Sequence, residues 1–114
     1  MLDNDKLGRT LNLVGQLLVV GDYEGLARLT KGQRLTADEL RQAVVDYGRR
    51  LVLPQNAWSA RSVVDVEEAV PKAWSIYMDL WTAEEGRSDL TLELTLRDSE
   101  HDTYNVEVDN LHVL

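Results

Sequence analysis

The sequence contains no cysteine and no long apolar run, and these two absences exclude several classes of protein. Without cysteine there is no disulfide, no thiolate metal site and no cysteine nucleophile. The apolar run near the N-terminus, Leu17 to Val20, is too short for the core of a signal sequence or for a membrane span. We therefore expect a cytoplasmic protein without membrane attachment. It should fold as one domain over residues 1–114, because this length can bury a core without disulfides.

Basic residues are scarce in the second half of the chain. Residues 1–60 contain 7 acidic and 8 basic residues, whereas residues 61–114 contain 13 acidic and 4 basic ones, which together give the net charge of −8. A region this acidic repels phosphate, so we expect no nucleic-acid binding. It would attract a basic protein and speed the encounter, although such residues most often only keep a surface soluble.

The first half has the periodicity of helices. Asp22 can cap a second, short helix, which Gly32 would end, and Thr36 and Glu39 form a capping box that opens a third helix ending at Gly48. A first helix is predicted by apolar residues that recur every three or four positions, namely Leu7, Leu11, Val14 and Leu18.

The second half changes to a period of two. Apolar residues alternate with polar ones in the segments 64–66, 74–80, 90–96 and 104–108, and short stretches rich in turn-forming residues separate these segments. This pattern predicts an α+β fold, with three N-terminal helices packed on one face of a four-stranded antiparallel meander sheet.

The last apolar residues fall out of phase with the fourth strand. Val106 and Val108 occupy even positions, whereas Leu111 and Val113 occupy odd ones, so a regular strand would send the two pairs to opposite faces. A β-bulge near Asp109-Asn110 would restore the phase, and a chain end that covers the other side of the sheet is the alternative. We favour the bulge.

Two segments carry a resemblance to known families. Residues 17–44, LLVVGDYEGLARLTKGQRLTADELRQAV, contain an apolar helix end, a Gly-Asp break, a short leucine-bearing helix and a capped helix. This order resembles the nuclear transport factor two superfamily, the cystatin-like α+β roll. The segments 80–99 and 104–114 resemble an uncharacterised bacterial domain family. The first resemblance implies a curved sheet beneath helices. In some members it implies a toxin-immunity role, and in others an enzyme with Asp, His or Tyr lining a pocket.

The side chains expected to face the helices supply no acid–base pair. His101 lies in a predicted turn, and His112 follows Asp109 by three residues, a spacing that puts the two on opposite faces of a strand unless the bulge intervenes. The residues expected to face the helices are Trp74, Ile76, Met78, Leu80, Leu90, Leu92, Leu94, Leu96, Tyr104, Val106 and Val108. Of these, only Trp74 and Tyr104 have a polar side-chain atom. We therefore expect no catalytic residues, metal site or cofactor, and we favour a non-enzymatic protein.

The opposite face of the sheet is the better candidate for function. The period of two assigns to it Asp65, Glu67, Tyr77, Asp79, Trp81, Thr91, Glu93, Thr95, Arg97, Asn105 and Glu107. We predict that Tyr77 and Trp81 anchor a partner, ringed by Asp79, Glu93 and Glu107. The partner would be a basic protein or a second copy of the chain. Alternatively, the connector of residues 51–58, LVLPQNAW, folds over part of this face.

A second hypothesis is a small-molecule-binding or isomerase-like roll with a pocket between helices and sheet. Tyr23, Tyr47, Trp58 and Tyr104 could line such a pocket, although aromatic residues at helical spacing are more often ordinary core. A buried Asp or His within hydrogen-bond reach of Tyr47 or Tyr104 would favour the enzyme. A filled core beside a flat outer face would favour the interaction protein.

Overall fold

The structure, a computed structural model, describes residues 2–31 and 34–113. Three helices come first, α1 (Asn4–Val19), α2 (Tyr23–Leu29) and α3 (Ala37–Tyr47). Four strands follow, β1 (Ser62–Val66), β2 (Ala73–Thr82), β3 (Gly86–Arg97) and β4 (Asn105–Val113), and they form one antiparallel sheet in the order β1-β2-β3-β4. The predicted fold class is confirmed.

Each helix begins at the capping residue that its sequence supplies. The Asp3 carboxylate accepts from the backbone N–H groups at the start of α1, and the Asp22 carboxylate does the same for α2. The predicted capping box is present at α3, where Thr36 and Glu39 bond to each other's backbone N–H groups. Gly48 ends α3 in the left-handed conformation, with φ of 74°. The predicted role of Gly32 lies outside the described residues.

The core lies between the helices and one face of the sheet. The predicted helix-facing side chains of β2, β3 and β4 are all buried, and they pack with Leu11, Val14 and Leu18 of α1, Leu26 of α2 and Leu40 of α3. Leu7, at the start of the α1 stripe, is only half-buried. None of the helices among residues 2–31 and 34–113 is both long and apolar enough to cross a membrane.

The predicted bulge in β4 is present. Glu93 pairs with Asn110 and Leu94 with Val108, so Asp109 is the extra residue between two regular parts of the ladder. The bulge returns Leu111 to the helix side, where it is buried opposite Leu92.

β1 is oriented opposite to the prediction. Val64 pairs with Ser75, on the side away from the helices, while Asp65 pairs with Trp74, on the helix side. Directly opposed residues share a face, so the assignment of Asp65 to the face away from the helices is wrong. Glu67 lies in the turn after β1, outside the paired residues. The alternation of valine with acidic residues does not indicate a buried face here, because β1 is an edge strand that is exposed on both faces from Val63 to Val66.

The connector between α3 and β1 follows the edge of β2 and does not cover the sheet face away from the helices. The Val52 N–H donates to the Trp81 carbonyl at 2.9 Å, which makes a short extra pairing beside the end of β2. Further on, Trp58 is buried in the core against Gly15 of α1. The alternative in which residues 51–58 fold over that face is therefore wrong.

Candidate functional site: the outer face of the sheet

The outer face is the side of β2, β3 and β4 that points away from the helices. The structure places all five predicted partner-binding residues there, Tyr77, Asp79, Trp81, Glu93 and Glu107. Each of them is half-buried between its neighbours on the sheet. The predicted residues therefore share one surface.

A hydrogen-bonded cluster joins the edge of this face to its centre. The Arg61 Nε lies 3.0 Å from each oxygen of the Asp79 carboxylate, and its Nη2 donates to the Thr91 hydroxyl at 3.3 Å. The Thr91 hydroxyl also lies 3.1 Å from the Asp79 carboxylate, to which it can donate. Thr91 is fully buried, so its neighbours supply the polar contacts that water would otherwise supply. The Arg61 side chain is thereby bonded to both β2 and β3.

Tyr77 lies beside this cluster. The Arg61 guanidinium carbon is 5.7 Å from the centre of the Tyr77 ring, within the range of a cation–π contact. Glu93 is the residue opposite Tyr77 on β3. Hydrogen bonding to the Glu93 carboxylate, together with its negative charge, raises the pKa of the Tyr77 phenol.

A second cluster occupies the β4 side of the outer face. His112 Nε2 contacts the Glu93 carboxylate, and the Arg97 Nε donates to Glu107 at 2.8 Å. The bulge residue Asp109 accepts from the Thr95 hydroxyl at 2.6 Å, and Arg34 Nε lies 2.8 Å from its other oxygen. The bulge therefore adds a carboxylate to this face, and Arg34 meets it from the loop before α3.

Most carboxylates of the outer face are paired with arginine. Asp79, Glu107 and Asp109 each contact an arginine, and Glu93 contacts His112. The acidic balance of residues 61–114 therefore does not produce an acidic patch at this site. Exposed acidic side chains without an ion pair, within residues 2–31 and 34–113, include Glu67, Glu68 and Asp89.

Two adjoining clefts lie at the end of the outer face, where the pairing between β2 and β3 is irregular. Here three residues of β3, from Ser88 to Leu90, lie across from Leu80 alone, and the Ser88 hydroxyl donates to the Leu80 carbonyl at 2.8 Å. The clefts have volumes of about 300 Å³ and about 230 Å³. Both are lined by Arg61, Asp79 and Arg87; Ser88, Asp89 and Thr91 complete the first, and Ser59, Ala60 and Trp81 the second.

The four aromatic residues of the pocket hypothesis lie in different surroundings and do not line one pocket together. Tyr104 is buried with its ring centre 5.2 Å from that of Trp74, and its hydroxyl accepts from the Asp3 N–H at 2.9 Å. Trp58 packs on Gly15, and the Tyr23 ring lies 5.5 Å from the Arg41 guanidinium. Tyr47 is the member of the set that lines an open depression of about 400 Å³, with Ala43, Asp46, Leu90, Leu111, His112 and Val113.

The polar neighbour of Tyr47 is an exposed carboxylate. The Tyr47 hydroxyl donates to Glu85 at 2.8 Å, and Glu85 also accepts from the Thr82 hydroxyl at 3.0 Å. Desolvation of the phenol, followed by its hydrogen bond to Glu85, raises the pKa of Tyr47. This contact joins α3 to the β2–β3 turn and supplies no buried acid–base pair. Within the described residues, no group of three or more Asp, Glu or His side chains is placed to hold a metal ion.

Sequence reasoning missed several members of the outer-face clusters. Arg61 and Arg34 lie outside the alternating segments, so no strand periodicity pointed to them. The contact of His112 with Glu93 depends on the β3–β4 register, which the bulge sets. The predicted bulge was the one sequence feature from which this contact could have been predicted, since the bulge moves His112 to the face that carries Glu93.

Comparison with known proteins gives the family and nothing on activity. The family model described as Domain of unknown function (DUF7668) matches residues 16–114. The chain belongs to this family. No curated protein and no solved structure matches it. The match spans α2 through β4 and all of the outer-face residues named above, including Arg34 and Arg61, so the surface described above lies within the matched part of this DUF7668 protein.

Proposed function

We propose that this domain of the DUF7668 family is a non-catalytic binding module that docks another protein on the outer face of its sheet. The observation that carries the proposal is the Arg61–Asp79–Thr91 cluster beside Tyr77 and Trp81, on a face that neither the helices nor the 51–58 connector cover. Tyrosine, tryptophan and arginine are the residues that most often supply binding energy at protein interfaces.

The geometry favours binding because the polar side chains are already ordered. Arg61 makes bonds to both Asp79 oxygens and to Thr91, so much of its rotamer freedom is lost before a partner arrives. A side chain ordered in advance costs less entropy on association. The clefts beside Trp81 would receive one or two partner side chains. Arg87, which lines both clefts and has no ion-pair partner among the described residues, would meet an acceptor.

The proposed partner is a protein with basic groups near Asp89. Asp89 lines the larger cleft, is exposed and has no ion-pair partner in the described part of the chain. In the ring of Asp79, Glu93 and Glu107, Asp79 and Glu107 each have an arginine beside them, so a basic partner gains less from the ring than the sequence alone suggested. We therefore propose that aromatic contact supplies most of the affinity, with a modest dependence on salt.

We further propose that the family is related to the nuclear transport factor two superfamily. Three capped helices followed by an antiparallel meander with a bulged last strand support that relation. An experimental structure compared with members of the superfamily would test it. A toxin-immunity role would be one form of the proposed protein binding.

Affinity capture from lysate of the native host tests the docking face. The tagged protein is compared with a Tyr77→Ala, Trp81→Ala double variant, at low and at high salt, and circular dichroism establishes that each protein is folded. Tyr23→Ala is the matched control, because it removes a half-buried aromatic side chain from the helix layer. We expect a specific partner that the wild type and the Tyr23 variant retain and that the folded double variant loses. Equal retention by a folded double variant would overturn the assignment of the outer face.

A further inference from the structure

β1 is the open edge of the sheet. From Val63 to Val66 it is exposed on both faces, and three of its five residues are valines. The opposite edge, β4, and the end of β2 are each bridged at one residue by another segment. Arg34 forms a bridge with Val108 beside β4, and Leu51 forms one with Thr82 beside the end of β2. Within the described residues no segment is bridged to the free side of β1. Proteins usually protect such an apolar edge, because its unpaired backbone groups accept another strand.

The backbone groups that point outward from β1 follow from the pairing with β2. The Tyr77 carbonyl accepts from the Arg61 N–H, and the Trp81 carbonyl accepts from the Val52 N–H, so odd residues of β2 direct their backbone groups toward this edge. Ser62, Val64 and Val66 pair with odd residues of β2 and are therefore bonded to it. The N–H and C=O groups of Val63 and Asp65 face the open side.

We propose that a second copy of the chain pairs with this edge, β1 antiparallel to β1, with Val64 on the two-fold axis. In this register Val63 of each copy exchanges backbone hydrogen bonds with Asp65 of the other, and all five strand residues are paired. Val64 packs on Val64 of the second copy, and Ser62 lies opposite Val66. Such a two-fold contact uses the same surface on both copies and closes on itself.

Charge and the extent of pairing together select this register over its neighbours. A pairing centred on Asp65 would put the two Asp65 carboxylates directly opposite each other, which is destabilising. A pairing centred on Val63 would leave Val66 of each copy without a strand residue opposite it. The pairing centred on Val64 sets Asp65 opposite an apolar valine and places Arg61 near Glu67 of the second copy, so opposite charges meet at both ends. Lys72, whose Nζ lies 3.6 Å from Asp65, offsets the remaining carboxylate charge.

The paired sheet would have eight strands and a continuous outer face. Two docking faces would then be held side by side. A partner with two binding segments would therefore bind the dimer more tightly than it binds a single copy. The pairing itself does not rest on the proposed function, since its hydrogen bonds are made by the backbone of β1 and it needs neither Tyr77 nor Trp81; Arg61 is the residue that the two surfaces share. Because the paired strands are short, we expect a concentration-dependent dimer in place of a permanent one.

A single engineered cysteine tests the register directly, because the natural chain has none. Val64→Cys would put two thiols at a non-hydrogen-bonded pair, where the Cα atoms are about 4.5 Å apart and a disulfide can form. Val113→Cys is the control, since Val113 is also an exposed strand valine, at 56% against 57% for Val64. With oxidised glutathione at increasing protein concentration, we expect a covalent dimer from Val64→Cys well before any from Val113→Cys. Equal rates for the two variants would overturn the proposal.

Val63→Pro tests the pairing without a new bond. It removes an N–H that faces the open edge, so the β1–β2 ladder of the folded chain is kept. The dimer loses two hydrogen bonds by symmetry, and sedimentation equilibrium should show association weakened by roughly tenfold or more. Val63→Lys is the second variant, in case proline disturbs the fold. Undiminished dimerisation of both folded variants, or a wild type that remains monomeric at every concentration, would overturn the proposal. Loss of partner capture with the dimer intact would count only against the outer face.

Discussion

Two glycines of α1 provide a sharp test of where the connector lies. A Cβ atom added at Gly15 would lie 2.4 Å from Trp58 Cε2 and 2.6 Å from Nε1, whereas one added at Gly8 would meet nothing within 4 Å. Both residues lie inside the helix, so Gly→Ala improves helix propensity at each by about 1 kcal/mol. Gly8→Ala should therefore raise the free energy of unfolding by about that amount.

Gly15→Ala should have a lower free energy of unfolding than Gly8→Ala. Trp58 is only 7% exposed and belongs to the core cluster, so the indole cannot move away freely. Overpacking of this kind costs about 1–3 kcal/mol, which cancels or exceeds the gain in helix propensity. We expect the two variants to differ by about 1–3 kcal/mol, or roughly 4–12 °C in Tm for a domain of this size.

Urea unfolding followed by tryptophan fluorescence and by far-ultraviolet circular dichroism would measure the difference. The substitution is the same and the helix is the same, so intrinsic propensity cancels in the comparison. If Gly15→Ala were as stable as Gly8→Ala, Trp58 would not lie against α1. The connector would then be free to cover the outer face, and the proposed docking surface would lose its support.

Three further predictions concern the core, a helix cap and alkaline pH. Leu94→Ala, at a fully buried position in the centre of β3, should lower the free energy of unfolding by roughly 2–5 kcal/mol in urea titrations, and a value near zero would place the leucine on the surface. Thr36→Ala removes one half of the capping box and should cost about 0.5–2 kcal/mol, with Thr36→Ser recovering most of it. The pKa of Tyr47 is raised in the folded state, so its contribution to stability is present below the unfolded pKa of 10.0 and is lost as pH rises through the folded pKa. Tyr47→Phe should therefore lose less stability than the wild type between neutral and alkaline pH, and identical pH profiles would contradict the contact with Glu85.

Much of the secondary structure was predictable because local rules decide it. The N-cap of α2, the capping box of α3 and the glycine that ends α3 are short sequence signals with one structural solution each. The period-two leucines of β3 indicated their buried face correctly. The change of parity between Val108 and Leu111 indicated a bulge or a chain end that covers the other side of the sheet, and the structure shows the bulge, whose extra residue keeps both side chains on one face.

β1 shows where periodicity is insufficient. Its valines alternate with acidic residues as a half-buried strand would, yet Val64 lies on the side away from the helices and is exposed. An alternating pattern reports the buried face only when one face is buried, and an edge strand with two exposed faces breaks that assumption. The position of β1 at the sheet edge is a property of the whole topology.

The sequence by itself determined the three capped helices, the four alternating strands and the burial of the leucine ladder, because hydrophobic period and cap chemistry act over a few residues. It also determined that Tyr77, Asp79, Trp81, Glu93 and Glu107 share one face. Only the tertiary structure decided how those charges are paired, since Arg61, Arg34 and His112 reach the face through a connector, a loop and a bulged register. Ion pairs between distant residues depend on distances that no local pattern encodes, and for this reason the acidic surface expected from composition became a compensated one.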